Sequence, residues 1–183
     1  EKGYGIQIAE MCQAFANAGL TVVLVAPYRI SRVKDNFFKY YGVKKNFQFK
    51  KIFAPDFYLP GKLDKITFQI KYFISALILV FYSLAKRPDV VYSRDELPLY
   101  LLSFFHKNLV FEIHKFSRHR RIFYSRFNKK GIKIVAITHG IKNELLDLGF
   151  NDRNVLVASD GVDLSRFDVN IDKYSAREKT SMP

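Results

Sequence analysis

The chain has 183 residues and is 49% hydrophobic, which suffices for one folded domain and is too apolar for a disordered polymer. Its single cysteine, Cys12, excludes an internal disulfide framework and, lying in an apolar helical pattern, reads as a small buried hydrophobe. A formal charge of +13 leaves nucleic acid, an anionic membrane or a phosphorylated small molecule open as partners, beside a merely solvated surface.

In chain order, Ile8, Met11, Cys12 and Phe15 have the spacing of one helical face, and Gly19 falls where a left-handed cap ends a helix. Thr21-Val22-Val23-Leu24-Val25-Ala26 is a continuous apolar run, as in a strand buried on both faces, and Pro27 ends it. Residues 49–53 form a short strand. Residues 66–85 form a long apolar helix. Its charge-free stretch from Phe73 to Ala85 is shorter than the ~20 residues a membrane span needs, so it reads first as a core helix and second as an interfacial one.

Val90-Val91-Tyr92 is the next strand, followed by a helix over residues 97–105 with Pro98 in its first turn. A strand over 109–113, a strongly basic helix over 117–130, a strand over 133–137, a helix over 141–148 closed by Gly149 and a strand over 155–158 complete the series. Such alternation predicts an α/β fold: a Rossmann-like, mostly parallel sheet with helices on both faces. The series opens on a helix. A first central strand is therefore expected ahead of Gly3 and Gly5, which would form its tight turn, on a missing stretch on the order of ten residues. Its loss would leave open edges beside Val22 and Val110.

In this class, ligands bind outside the carboxyl ends of the strands. The residues to inspect are therefore Gly3 and Gly5, then Ser93 to Glu96 with Arg94 and Asp95, His114 and Lys115, Thr138 to Gly140, and Ser159 to Asp163, of which Gly3, Gly5, Arg94, Asp95, His114, Lys115 and Thr138 are taken as site candidates. Gly3 and Gly5 suit close approach of backbone N–H groups to an anion, or a tight turn only; Ile8 stands where a dinucleotide fingerprint wants a small residue. Arg94 suits bidentate contact with phosphate or carboxylate, or a salt bridge to Asp95 or Glu96. His114 can meet a sugar hydroxyl or a developing charge, or be satisfied by local backbone. His106 and His119 read as surface residues, and His139 as a helix start. No His/Cys/Asp spacing indicates a metal, and neither a nucleophile elbow nor a P-loop is present.

Five segments, in order, resemble the N-terminal domain of family-4-type glycosyltransferases of the GT-B fold. Lys2-Gly3-Tyr4-Gly5-Ile6-Gln7-Ile8-Ala9, running into residues 14–20, is similar to the family's first loop and helix. Residues 21–25 resemble its second strand, and Arg87-Pro88-Asp89-Val90-Val91-Tyr92-Ser93-Arg94 a later one. Residues 134–145 are similar to its strand, serine and helix element, with Thr138 in the serine's place. Asp160-Gly161-Val162-Asp163 with Phe167 resembles its hinge, Asp160 replacing the usual Asn.

The resemblance implies an acceptor-side domain over residues 1–163, and a linker over 164–183 leading to a donor-binding domain absent from this chain. It implies a glycosyltransferase, of retaining type, that takes a nucleotide-sugar donor and an envelope, lipid-linked or saccharide acceptor. His114 matches the family histidine near the transferred sugar, and Gly3 and Gly5 would lie near the donor phosphates. No cofactor or metal is expected. This half is expected to be inactive alone, and the enzyme to be cytoplasmic, at the inner face of the cell membrane. Lys39, Lys44, Lys45, Lys50 and Lys51, interleaved with Phe37, Phe38, Tyr40, Tyr41, Phe47 and Phe49, are expected to form a loop-rich surface for anionic lipid or an acidic acceptor. Nucleic acid is not expected, since no RNA-binding signature accompanies them. The competing reading is a basic Rossmann-like module that docks on membrane or nucleic acid without catalysis.

Overall fold

The computed structural model describes residues 2–28, 35–55, 64–161 and 171–180. Its elements, in order, are α1 (Lys2–Asn17), β1 (Val23–Pro27), α2 (Phe37–Tyr41), β2 (Gln48–Ile52), α3 (Asp64–Lys86), β3 (Val91–Ser93), α4 (Glu96–Leu102), β4 (Leu109–Ile113), α5 (Arg121–Lys129), β5 (Lys133–Ala136), α6 (His139–Asp147), β6 (Val155–Val157) and α7 (Lys173–Thr180). The chain is an α/β protein with parallel strands flanked by helices, as the alternation predicts. The strands form two sheets: β1 pairs with β2, and the other four run in the order β3-β4-β5-β6.

Period-two alternation divides the larger sheet into two unlike faces. Leu109, Phe111 and Ile113 of β4, Ile134 and Ala136 of β5 and Val155 of β6 point into one apolar core. Leu99 and Leu102 of α4, Tyr124 and Phe127 of α5, and Leu145 of α6 close over it. Each such Leu or Phe contributes about 1.5–3 kcal/mol of transfer free energy when fully buried. The other face carries Tyr92, Glu112 and Val135 under α1. A smaller core joins Ala9 and Cys12 of α1 to Val43 and Phe47, with Val22, Leu24, Phe37 and Phe38 packed against it. Burial pushes the Cys12 thiol up to about 11 against a lowering by Arg94, so Cys12 is a protonated packing group at neutral pH.

Helix α1 stops where Gly19 adopts φ 88°, and Leu20 and Gly19 donate to the carbonyls of Phe15 and Ala16 in a Schellman cap.

Several expectations are corrected. Gly3 and Gly5 lie within α1 and form no turn. What Gly5 supplies is space: a Cβ there would lie 2.1 Å from Tyr41 Oη. The stretch 37–51 is not loop-rich. It holds α2, capped by Asn36, and β2, because its aromatic rings have one another to pack on: Phe37 stacks on Phe49 at 4.1 Å and packs edge-on against Tyr41. The five lysines stay exposed. The basic helix begins as a 3-10 turn, Arg118–Arg120, before α5. Helix α3 is not a buried core helix: Phe73 and Phe81 are 48% and 67% exposed, and its buried positions include Thr67, Lys71 and Ser75. By length and composition α3 could cross a membrane, but it packs on α4 and β1 within this fold. Finally, Val110 is no edge residue, being paired to Tyr92 on one side and Lys133 on the other; among the described residues the edge strands of this sheet are β3 and β6. Val162, Asp163 and Phe167 lie outside the described residues.

Candidate functional site

The site grows from two i, i+2 pairs. Tyr92 and Arg94 share one side of β3 and its extension, and Glu112 and His114 share that side of β4. The register sets Ser93 beside Phe111, so one step further Arg94 lies beside Glu112. Arg94 Nη2 contacts Glu112 Oε1 at 2.7 Å, and the Glu112 side chain is only 4% exposed. A buried carboxylate loses several kcal/mol of hydration and is tolerated only when well paired. Glu112 has three donors: Arg94, the Tyr92 hydroxyl at 2.5 Å and His114 Nε2 at 2.6 Å. Burial pushes its carboxyl upward, but the bonds from Tyr92, His114 and Arg94 outweigh that and hold it below the usual range. Burial and the same bond raise the Tyr92 phenol, which therefore remains the donor.

The carboxylate also orients the imidazole. Glu112 can only accept, so the short contact places a proton on His114 Nε2 and turns Nδ1 toward Asp160, 3.7 Å away. Tyr4 of α1 meets the His114 ring edge-on, with centroids 6.1 Å apart. Asp160 follows β6 and lies 3.8 Å from Arg94 Nη2. Arg94 Nη1 donates to Gln7 Oε1 at 3.4 Å, while its Nε is buried with no acceptor among the described residues. Arg94 thus pairs with neither of the neighbours that its sequence context offered.

These groups border a cleft of about 390 Å³ between α1 and the carboxyl rim of the sheet. Gln7 and Glu10 wall one side, Ser159 to Gly161 the other, and Arg94 and Glu112 lie at its base. His114 stands beside the cleft, joined to it through Glu112 and Asp160.

Glu112, His114 and Asp160 offer ligand atoms within 4.8 Å of one another, a grouping that sequence spacing did not reveal. The set fits a cation poorly, because the Arg94 guanidinium already spans its two carboxylates.

Of the residues named from sequence, Arg94 and His114 meet at this cluster, and Gly5 lies one residue from the Tyr4 contact. The others stand apart. Asp95 accepts a hydrogen bond from the Tyr72 hydroxyl on α3, and burial raises its carboxyl above the usual range. Thr138 caps α6, accepting from the Ile141 N–H at 3.2 Å. Lys115 is exposed at the bend after β4, and Gly3 lies in the first turn of α1. His106 is tied to the Pro88 carbonyl at 2.8 Å rather than free on the surface. Glu112, Tyr92 and Gln7 escaped notice as site residues, and Asp160 was placed at the rim without being chosen as one. The available signal was a lone carboxylate within the apolar run Leu109 to Ile113, two residues before His114 and therefore on its side of the strand.

Comparison with curated proteins finds no match. The model of Glycosyltransferase Family 4 matches residues 2–166, nearly the whole chain. That match covers every strand, both faces of the larger sheet and each member of the cluster, so the chain belongs to glycosyltransferase family 4.

Proposed function

We propose that this chain is the acceptor-side half of a retaining glycosyltransferase that moves a sugar from a nucleotide-sugar donor to an envelope, lipid-linked or saccharide acceptor. Residues 1–163 form the acceptor domain, and 164–183 lead into the half that grips the donor, so this half alone does not turn over. The observation that supports this best is the meeting of Arg94, Glu112, His114 and Asp160 at one rim, where Arg94, Glu112 and Asp160 line the cleft and His114 stands beside it. Its polar groups are mixed in charge, with Arg94 already engaged by carboxylates. Such a lining suits sugar hydroxyls better than a phosphate. Rate enhancement rests on positioning and on electrostatic stabilisation of the leaving phosphate from the donor side. No cofactor or metal takes part.

His114 is the sugar-side residue in this reading, and Glu112 positions it. In the two-domain enzyme, His114→Ala lowers kcat at least ~100-fold while moving the melting temperature by only a few degrees. Near-normal turnover in that variant removes the assignment.

The exposed lysines of α2, β2 and the turn between them serve the inner face of the cell membrane, where a lipid-linked acceptor resides. Each contributes about 1 kcal/mol near an anionic surface.

A further inference from the structure

A second concentration of charge lies on the rim, outside the cleft. After β4 the chain bends at His114 and Lys115, makes the 3-10 turn Arg118–Arg120 and enters α5 at Arg121. Two contacts fold this segment back over the sheet. Phe116 stacks on Tyr124 with ring centroids 5.3 Å apart, and Arg120 is bound to the buried Glu96, the first residue of α4. Glu96 lies two residues beyond Arg94, so the turn stands at the carboxyl ends of β3 and β4, beside the cleft.

The turn sorts its cations. Arg120 takes the one carboxylate. Lys115, Arg118, His119 and Arg121 are exposed, and none of them forms an ion pair among the described residues. Residues three and four apart on helical backbone are neighbours, so Arg118 shares one side with Arg121 and Ile122. Like charges so placed repel, and cations at the start of a helix oppose its dipole. Helix α5 has no acidic residue in its first turn to offset them. Folding therefore gains nothing from these charges, whereas an anion arriving from outside relieves them.

Apolar surface adjoins them. Ile122 is 66% exposed. Helix α4 packs on α3 as well as on α5. The Tyr72 hydroxyl of α3 donates to Asp95 at the start of α4, which brings the first turns of α3 to the same rim. Phe68, one turn before Tyr72, is 63% exposed there. A free inorganic ion has no use for such side chains. An anion that carries a hydrocarbon chain does.

We propose that the turn over residues 115–121 binds a phosphate group borne by a lipid-linked acceptor. Lys115, Arg118, His119 and Arg121 meet the phosphate, and Ile122 and Phe68 cover the first methylenes of its chain. The proposal rests on the acceptor-side reading above and narrows it, selecting the lipid-linked class from the three. The division of labour follows from charge. In the cleft the Arg94 guanidinium is already engaged by Glu112 and Asp160, whereas on the turn the cations are free. Since Lys115 adjoins His114, a sugar joined to that phosphate lies within reach of the cleft.

The test is an NMR titration of this chain with decyl phosphate, held below its micelle threshold, and separately with inorganic phosphate. Decyl phosphate shifts the amides of residues 115–122 and binds at least ~10-fold more tightly than inorganic phosphate, as burial of two or more methylenes requires. Arg118→Gln with Arg121→Gln weakens it at least ~5-fold, whereas Lys129→Gln with Lys130→Gln, which removes the same charge from the far end of α5, does not. Ile122→Ser with Phe68→Ser abolishes the preference for the alkyl ester and leaves inorganic phosphate binding as it was. Equal losses in the two charge variants overturn the proposal, because net charge alone is then responsible. Equal affinity for both phosphates overturns the lipid source, and shifts confined to the cleft or absent altogether overturn the site. The titration contains no donor and reads no turnover. A full activity in His114→Ala therefore sinks the transferase assignment without touching this result, and a failed titration leaves that assignment where it was.

Discussion

Glu112 sets the character of the cleft more than any residue singled out for its own chemistry. Its carboxylate is held ionised by Arg94, Tyr92 and His114, and it fixes which imidazole nitrogen faces Asp160. The depressed folded-state value has a definite consequence. The unfolded carboxyl titrates near the usual ~4.3, so the stabilisation is complete above that pH and is lost as pH falls through the lower folded value. Replacing Glu112 by Gln leaves Arg94 without its buried partner and costs about 3 kcal/mol or more at neutral pH. Denaturant melts across pH check this: the gap between wild type and Glu112→Gln closes under acid and is widest above pH ~5. A gap independent of pH contradicts the ionised-carboxylate account. The place of His114 at the rim was legible in the sequence because it follows directly on an apolar strand run. Glu112 was not, because a carboxylate inside an apolar run declares its purpose only when the neighbouring strand brings it a guanidinium.

At the scale of elements, helices and strands were legible where periodicity was strong. The Gly19 cap, the strand over 109–113 and the helix closing at Gly149 follow from local pattern and backbone preference. The roles of Gly5 and of α2 were not, because each depends on the other. Gly5 is helical and could take a side chain by its own dihedrals, but the Tyr41 ring occupies the space. Gly5→Ala therefore forces Tyr41 out of its packing with Phe37 and Tyr40 and costs about 1–3 kcal/mol. In the double variant with Tyr41→Leu the loss falls short of the sum of the two single losses, as contacting residues require. Strict additivity in chemical denaturation removes the contact as the cause. Helix α3 teaches the converse. Its composition is that of a core helix, yet burial is a property of what lies opposite, and among the described residues Ile66, Phe73 and Phe81 stay exposed.

For the molecule as a whole, the charge of +13 was readable at once, but its placement was not. Aromatic and basic residues alternate through residues 37–51, and folding sorts them: the rings turn inward on one another and the lysines outward. If this face meets a membrane, the chain sediments with vesicles containing phosphatidylglycerol and not with phosphatidylcholine alone, and exchanging the five lysines for glutamine abolishes the difference. Equal sedimentation with both vesicles refutes the membrane role.

What the sequence by itself determined is most of the elements, though not α2 or α7, their alternation and hence the parallel α/β class, because hydrophobic period and turn residues act over a few neighbours. The family was legible for the same reason: its motifs are short, local segments of the chain. Only the tertiary structure decided the Glu112 cluster, the Gly5–Tyr41 contact and the exposure of one side of α3. Each of these is a distance between residues far apart in the chain, and no local pattern encodes which surfaces meet.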